Sequence, residues 1–254
     1  MNFEGRVLLI TGAGSEKGIG RETARQVSKR GAAVVLADID EEGLASAQKE
    51  ISQLNNGKTM TVKLDVTDKR ASQQVVEDII DKFGHIDILV NNAGISRPTS
   101  VVDIAEEEWD MVFNINMKGT FFLTQAVLPF MQEAKYGRII NLSSVSGKRG
   151  GGIFGGSHYS AAKAAVTGFT KAVAREMAPF GITCNTVAPG LIGGTNITEG
   201  KMTSEKEISI IEGIPARRVG VVEDVAYSIA FLASEGASYI TGEELDINGG
   251  SHID

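Results

Sequence analysis

The sequence predicts a doubly wound α/β fold, in which about seven parallel strands form one sheet with helices on both faces. Three observations predict it: short apolar runs alternate with segments of helical spacing, these runs are rich in β-branched residues, and Gly, Asn or Pro bounds them. Such runs suit strands covered on both faces, and their alternation with helices implies right-handed βαβ units. We expect a single domain over residues 1–254, because no proline- or serine-rich linker interrupts the pattern.

Seven runs predict the strands, and the segments between them predict the helices. The clear strands are Arg6–Thr11, Ala33–Asp38, Ile88–Asn91, Arg138–Leu142 and Thr183–Ala188, and the weaker ones are Thr59–Lys63 and Glu244–Ile247. Apolar residues recur at helical spacing in the intervening segments. The predicted helices include Gly20–Arg30, Lys69–Phe83, Asn116–Ala134, Tyr159–Pro179 and Glu223–Ala233.

Composition excludes several classes of function. A net charge of -7 and the lack of a basic run argue against a nucleic-acid partner. The single cysteine, Cys184, excludes an internal disulfide and a multi-cysteine metal site, and we predict no metal ligands. The amino terminus does not resemble a secretory signal, and no apolar stretch approaches the roughly 20 residues that span a bilayer. We therefore expect a cytoplasmic protein without a membrane partner.

A glycine-rich loop follows the first predicted strand and leads into a helix. Its glycines allow a tight turn and a close approach of the backbone to a pyrophosphate, which the positive end of the helix attracts. A structural turn is the alternative, but the strand–loop–helix context favours a dinucleotide site. The residues predicted to bind the cofactor here are Gly12, Gly14, Gly18, Ile19 and Gly20.

Asp38 ends the second predicted strand. In a Rossmann unit an acidic residue at this place hydrogen-bonds the adenine ribose and repels the additional phosphate of NADP. Lys17, just before Gly18, is a basic residue of the glycine-rich loop and would instead favour that phosphate. We give Asp38 more weight, because a lysine on a loop can turn to solvent. The sequence therefore predicts NAD(H) as the preferred cofactor and leaves NADP(H) open.

Further motifs follow in a characteristic order, and together they resemble the short-chain dehydrogenase/reductase family over nearly the whole chain. They are the loop Thr11–Gly20, Asp65-Val66, Asn91-Asn92-Ala93-Gly94, Asn116, Ser143-Ser144, the Tyr159-to-Lys163 segment and Pro189-Gly190. The resemblance implies an oxidoreductase that transfers hydride between a nicotinamide and a carbonyl/alcohol pair.

The resemblance also implies roles for individual residues. Asn116, Ser144, Tyr159 and Lys163 form the catalytic tetrad. The further residues placed beside the cofactor, in addition to Tyr159 and Lys163, are Asp65, Val66, Asn92, Ala93, Gly94, Pro189, Gly190, Ile192 and Thr195. A substrate-covering flap is implied at about 191–214, chiefly Asn196–Ile214. A homotetramer is implied too, assembled through the helices Asn116–Ala134 and Tyr159–Pro179.

The chemistry of the tetrad can be argued from its side chains. Tyr159 and Lys163 are four residues apart and share one face of a helix. A nearby ammonium stabilises a phenolate, so we expect Lys163 to lower the pKa of Tyr159 toward neutrality. Ser144 is suited to hydrogen-bond the substrate oxygen, and Asn116 to hold a water beside Lys163.

Three departures from the family pattern affect the site. Five residues separate Gly12 from Gly18, where three are usual, so the pyrophosphate cradle is expected to be reshaped. Thr195 comes one residue late after Pro189-Gly190. The segment between Ser144 and Tyr159 is long and should border the substrate.

The sequence favours a small polar substrate: a polyol, a sugar or a hydroxy acid. Positive charge from Lys148, Arg149 and Arg97 near the pocket would suit it, and His158 is a further candidate for the pocket wall. The alternative is a 3-oxoacyl-carrier-protein reductase that uses NADPH. Such enzymes bind their acidic carrier with two basic residues beside the active-site entrance, where this chain has Lys135 but also Phe180. A non-catalytic dinucleotide-binding sensor is the remote alternative.

Overall fold

One parallel sheet organises the protein, whose computed structural model describes residues 1–195 and 204–253. Within these residues the sheet has seven strands in the order β3-β2-β1-β4-β5-β6-β7. Their bounds are β1 Val7–Thr11, β2 Ala33–Asp38, β3 Thr59–Lys63, β4 Ile88–Asn91, β5 Gly137–Leu142, β6 Ile182–Pro189 and β7 Glu244–Ile247. The predicted fold class is confirmed, and the predicted strands are at most two residues too short or one too long.

Helices cover both faces of this sheet. In the described part of the chain they are α1 Ile19–Ser28, α2 Glu41–Leu54, α3 Lys69–Phe83, α4 Glu106–Phe113, α5 Gly119–Ala134, α6 Val145–Arg149, α7 Ser157–Met177, α8 Ser204–Glu212 and α9 Val222–Leu232. Short 3₁₀ turns follow α7 and α9. No described helix is both long enough and apolar enough to cross a membrane.

Alternating strand residues explain the two helical layers. In β1, Leu8 and Ile10 point to the layer formed by α1, α2 and α9, whereas Val7 and Leu9 point to the layer formed by α3, α5 and α7. Both sets are buried, so the strand reads as one continuous apolar run. Cys184 of β6 lies in the second layer, and burial raises the pKa of its thiol to about 12.

Two predicted helices begin two or more residues away from the predicted start. The segment Asn116–Ala134 is not one α-helix, because a π-helical turn at Asn114–Lys118 joins α4 to α5. The helix predicted from Tyr159 begins two residues earlier, at Ser157. Helical periodicity does not reveal a π turn, since one added residue changes only the phase of the pattern.

The chain crosses from one side of the sheet to the other at β1, whose neighbours are β2 and β4. Asn92, directly after β4, links the ends of β1 and β4 by donating from Nδ2 to the carbonyl oxygens of Thr11 (2.8 Å) and Gly12 (3.0 Å). In return, Thr11 Oγ1 accepts hydrogen bonds from the backbone N–H groups of Asn92 and Ala93. Ligands of doubly wound sheets bind at such a crossing, beyond the carboxyl ends of the strands.

Gly147 provides a test of how closely α6 packs on α7. An added Cβ would lie 2.9 Å from the backbone nitrogen of Ala164 and 3.0 Å from the carbonyl carbon of Lys163. We expect Gly147→Ala to cost about 1–3 kcal/mol and to lower the melting temperature by several degrees, because backbone atoms must move. Gly236→Ala is the control, since its Cβ would meet nothing closer than 3.6 Å. Equal melting temperatures for the two variants would contradict close packing at Gly147.

Candidate active site

A cavity of about 700 Å³ lies beyond the carboxyl ends of the strands, over the crossing between β1 and β4. All four residues of the predicted catalytic tetrad contribute to its wall. The predicted cofactor-binding residues that line it are Gly12, Gly18, Ile19, Asp38, Asp65, Val66, Asn92, Ala93, Gly94, Pro189, Gly190, Ile192 and Thr195, together with Tyr159 and Lys163. Part of the predicted flap also reaches the wall through Leu191 and Ile210, whereas residues 196–203 lie outside the described part of the chain.

Two predicted loop glycines, Gly14 and Gly20, lie behind the wall rather than on it. The Gly14 N–H donates to Asp38 Oδ2 (2.8 Å), and an added Cβ on Gly20 would lie 2.5 Å from the Gly12 carbonyl oxygen. Gly20 therefore allows α1 to pack directly against the loop, and Gly14 holds the Asp38 carboxylate.

The lengthened part of the loop folds as a turn. Its closing hydrogen bond runs from the Gly18 N–H to the Ser15 carbonyl oxygen (3.1 Å), and Glu16 and Lys17 between them are exposed. Ser15 faces the cavity, but Lys17 does not line it. Gly18 provides no side-chain cap for α1, so backbone N–H groups of the first helical turn are available to an anion.

Asp38 lies at the end of the cavity away from the tetrad. Its Oδ2 accepts from Gly14 and its Oδ1 accepts from the Asp40 N–H (3.1 Å). A carboxylate oxygen can accept more than one hydrogen bond, so both oxygens retain capacity for hydroxyl donors. An NAD-like dinucleotide needs an uncapped helix terminus, a carboxylate at one end of its site and a buried lysine at the other. The cavity has all three groups, so its residues fit such a cofactor.

Ser144 and Tyr159 converge at the opposite end of the cavity. Ser144 caps α6, and its Oγ accepts the Ser146 N–H (3.1 Å). Tyr159 and Lys163 lie one turn apart on α7, with Lys163 Nζ 5.8 Å from the centroid of the Tyr159 ring. The Lys163 ammonium is 4% exposed and donates to the Leu142 carbonyl oxygen (2.6 Å). The α7 segment and the end of β5 thus hold the three groups together.

The π turn carries Asn116 into the same region. Its Nδ2 donates to the carbonyl oxygens of Ile95 and Val112 (2.9 Å each), while its Oδ1 is buried without a hydrogen-bond partner among the described residues. A Cβ on Gly94 would lie 2.6 Å from Asn116 Oδ1 and 3.4 Å from Lys163 Nζ, so both atoms border the same small space. The absence of a side chain at Gly94 keeps that space open to a polar group.

Burial dominates the titration of the two central groups. It raises the pKa of the Tyr159 hydroxyl, whereas the hydrogen bond with Ser144 lowers it. The expected lowering of the Tyr159 pKa toward neutrality is therefore not found for these residues alone, because desolvation outweighs the hydrogen bond with Ser144. Burial also lowers the pKa of Lys163, to about 8.

The wall beyond the tetrad is mostly aliphatic and aromatic. The segment between Ser144 and Tyr159, which the sequence places beside the substrate, contributes Val145, Ile153 and Phe154 to this wall. The other apolar residues of the wall were not predicted, since scattered side chains from separate segments carry no motif. They include Ile95, Met111 and Ile115.

Of the three basic residues expected near the pocket, not all contribute to this wall. Arg149 lines the cavity, whereas Lys148 and Arg97 do not. Lys148 Nζ instead forms an ion pair with Asp246 (2.7 Å), and Arg97 Nη1 donates to the Ser96 carbonyl oxygen (3.1 Å). Of the three side chains expected near the pocket, only that of Arg149 therefore lines the cavity.

His158 does not reach the cavity wall either. Its ring is fully buried, its Nε2 lies 3.1 Å from Glu108 Oε1, and Trp109 stacks on it with ring centroids 6.5 Å apart. His158 therefore joins α4 to the start of α7.

The positions compared with carrier-binding residues also differ from expectation. Lys135 lies two residues before β5, and Phe180 two residues before β6. Both positions are at the amino-terminal edge of the sheet, whereas the cavity lies at the carboxyl-terminal edge. Within one chain they do not border the entrance, because a parallel sheet separates its two edges by the length of its strands.

Comparisons with known proteins agree with this geometry. A family model described as enoyl-(acyl carrier protein) reductase matches residues 12–252. An uncharacterized short-chain type dehydrogenase/reductase of Sinorhizobium fredii is 41% identical over 253 residues and covers 100% of both chains. The 3-oxoacyl-(acyl-carrier-protein) reductases of Thermotoga maritima and Escherichia coli are 45% and 42% identical, over 98% and 100% of this chain and 99% and 100% of theirs. A crystal structure of levodione reductase superposes with a TM-score of 0.92 at 34% identity, covering 98% of each chain.

The buried lysine predicts an unusual dependence of stability on pH. Lys163 has its pKa lowered from 10.5 to about 8, so the folded protein binds fewer protons than the unfolded chain between these values. Below pH 8 its burial costs about 3 kcal/mol, and this cost disappears as the pH rises toward 10.5. Lys163→Met removes the charge, so the stability of the variant relative to the wild type should fall between pH 7 and pH 10.

Thermal unfolding of both proteins across this pH range measures the effect. The control is Lys171→Met, which removes an exposed lysine from the same helix. A difference between Lys163→Met and wild type that stays constant from pH 7 to pH 10 would contradict the lowered pKa.

Proposed function

We propose that this chain, which belongs to the short-chain dehydrogenase/reductase family, interconverts a ketone and a secondary alcohol of a small substrate with NAD(H) as cofactor. It is an oxidoreductase acting on CH–OH groups, and this excludes the sensor hypothesis. The observation that carries the proposal is the convergence of Ser144, Tyr159 and Lys163 at one end of a cavity that holds Asp38 at the other.

The tetrad residues divide the chemistry between them. A bound nicotinamide supplies hydride to the carbonyl carbon or accepts it from the alcohol carbon. Tyr159 donates its hydroxyl proton to the substrate oxygen in reduction and takes one back in oxidation. Ser144 donates a hydrogen bond to the same oxygen and orients it toward Tyr159. The atoms balance as ketone plus NADH plus one proton giving alcohol plus NAD⁺.

Lys163 and Asn116 restore the proton of Tyr159. The Asn116 Oδ1 and the Lys163 Nζ border one small space beside Gly94, where a water would find an acceptor and a donor. With its pKa lowered to about 8, Lys163 exchanges a proton readily near neutral pH. We therefore assign both residues to the proton path behind Tyr159.

The preference for NAD(H) follows from the residues at the far end of the cavity. Asp38 faces the cavity with acceptor capacity on both oxygens, whereas the exposed Lys17 does not line it. A carboxylate there repels a phosphate group on the ribose and accepts hydrogen bonds from its hydroxyls.

The cavity wall narrows the choice among small substrates. A polyol or sugar needs a hydrogen-bond partner for each hydroxyl, because an unpaired polar group is costly to bury. The apolar side chains beyond the tetrad provide few such partners. Among the substrates that the sequence favours, a hydroxy acid with a short apolar body fits best.

The second candidate is a 3-oxoacyl-carrier-protein reductase that uses NADPH. Relatives of 41–45% identity that match 98–100% of this chain carry this name, and this favours it. Phe180 counts little against this candidate, because its position is remote from the cavity within one chain. The net charge of -7 still opposes an encounter with an acidic carrier.

The homotetramer and the cytoplasmic location remain predictions.

Tyr159→Phe tests the proposed chemistry. We expect kcat to fall by about 10²-fold or more with unchanged affinity for NADH, because only the proton-transfer group is removed. Turnover is followed by NADH absorbance and binding by NADH fluorescence. Tyr136→Phe is the matched control, since it removes a phenol hydroxyl that does not line the cavity. A Tyr159→Phe variant with most of the wild-type activity would refute the assignment.

Asp38→Ala tests the cofactor choice. Loss of the carboxylate should raise kcat/KM with NADP(H) and lower it with NAD(H), so that the preference shifts by about 10-fold or more. Glu42→Ala removes an exposed acidic side chain nearby and should leave the preference unchanged. A wild-type enzyme with the higher kcat/KM for NADP(H) would instead favour the second candidate.

A further inference from the structure

The charged side chains of the cavity divide into two groups. Asp38 and Asp65 line the far end, and the buried Lys163 lies at the tetrad. Apart from Lys163, Arg149 is the only basic residue that lines the cavity within the described residues. The apolar wall places this cation where a substrate, rather than the adenine half of a dinucleotide, would meet it.

Arg149 has no partner in the part of the chain that the structure describes: it forms neither an ion pair nor a hydrogen bond there. Its neighbours differ, because Lys148 forms an ion pair with Asp246 and Arg97 donates to a backbone carbonyl oxygen. A guanidinium provides five donors in a fork that matches a carboxylate, and on the exposed Arg149 these donors can reach an anion in the cavity.

The backbone fixes the position of this cation relative to the tetrad. Arg149 is the last residue of α6, whose cap is Ser144, so their backbones are about 8 Å apart along the helix. Positive φ angles at Gly150 (75°), Gly151 (65°) and Gly152 (144°) turn the chain sharply after Arg149. Side chains rarely adopt these angles, so glycine is required for this turn.

Two hydrogen bonds hold the loop that follows Arg149 against the cavity. The Gly151 N–H donates to Ser160 Oγ (2.9 Å) beside the tetrad, and Ser96 Oγ donates to the Phe154 carbonyl oxygen. The loop therefore has little freedom to carry the end of α6 away from the cavity.

We propose that Arg149 binds the carboxylate of the substrate, and that the substrate is a short-chain oxo acid or the corresponding hydroxy acid. The inference rests on the proposed function and names the substrate class of the same site. The carbonyl oxygen lies at Ser144 and Tyr159, the aliphatic chain runs along Val145, Ile153 and Phe154, and the carboxylate reaches the guanidinium. The carboxylate is unchanged by the reaction.

The test compares oxo acids with their methyl esters, which keep the ketone and remove the charge. Acetoacetate, 4-oxopentanoate and 5-oxohexanoate form a series in which the distance from ketone to carboxylate increases. The wild-type enzyme with NADH should prefer at least one acid to its ester in kcat/KM. Arg149→Gln should reduce this preference about 10- to 100-fold, mainly through KM, and Arg149→Lys should restore part of it.

The matched control is Arg97→Gln, which removes the same charge from an exposed residue outside the cavity and should leave the preference intact. An acid-to-ester ratio that does not change in Arg149→Gln overturns the inference. So does a larger dependence on Arg149 for acetoacetyl coenzyme A than for the acids, because the cation would then serve a phosphate. If no ketone, esters included, is turned over with NADH, the proposed function fails and this inference with it.

Discussion

The hydrogen bonds between Asn92 and the end of β1 are the constraint on which the site depends. They continue the pairing of β1 and β4 past the carboxyl ends of these strands, and they satisfy backbone carbonyl groups that would otherwise lack a partner in the protein. This junction explains the glycines around it, because a Cβ on Gly12 or Gly20 would lie 2.7 Å from Asn92 Nδ2. The glycine loop, α1 and the floor of the cavity are positioned together by a single amide.

A second constraint is the burial of ionisable groups at the tetrad. Tyr159 and Lys163 both lie where the charged form of each is disfavoured, which is destabilising for the fold and useful for proton transfer. The surrounding core offsets this cost: both faces of the sheet are covered by helices with fully buried aliphatic residues. The closely packed α/β framework thus tolerates strain at the place where the chemistry occurs.

The sequence predicted most of what local chemistry specifies. Strand runs such as Ala33–Asp38 are visible as apolar, β-branched segments, and the position of Asp38 follows from the end of its strand. Two kinds of feature were not predictable. The partners of Lys148 and His158 depend on which distant side chains the fold brings near, namely Asp246 and Glu108. The cavity wall is likewise an outcome of tertiary packing, because no apolar residue in it has a signature of its own.

The π turn at Asn114–Lys118 contains one residue more than an α-helical turn of the same hydrogen-bonding role. Each helical residue advances by about 100°, so this extra residue puts the helix before the turn out of phase with α5 after it. Asn116 can face the cavity while Leu123 and Val127 pack on the sheet. A deletion of one residue here would turn the π turn into an α-helical turn. The segment could then direct Asn116 to the cavity or Leu123 and Val127 to the sheet, but not both. The number of residues in this segment is therefore constrained by the core and by the site together.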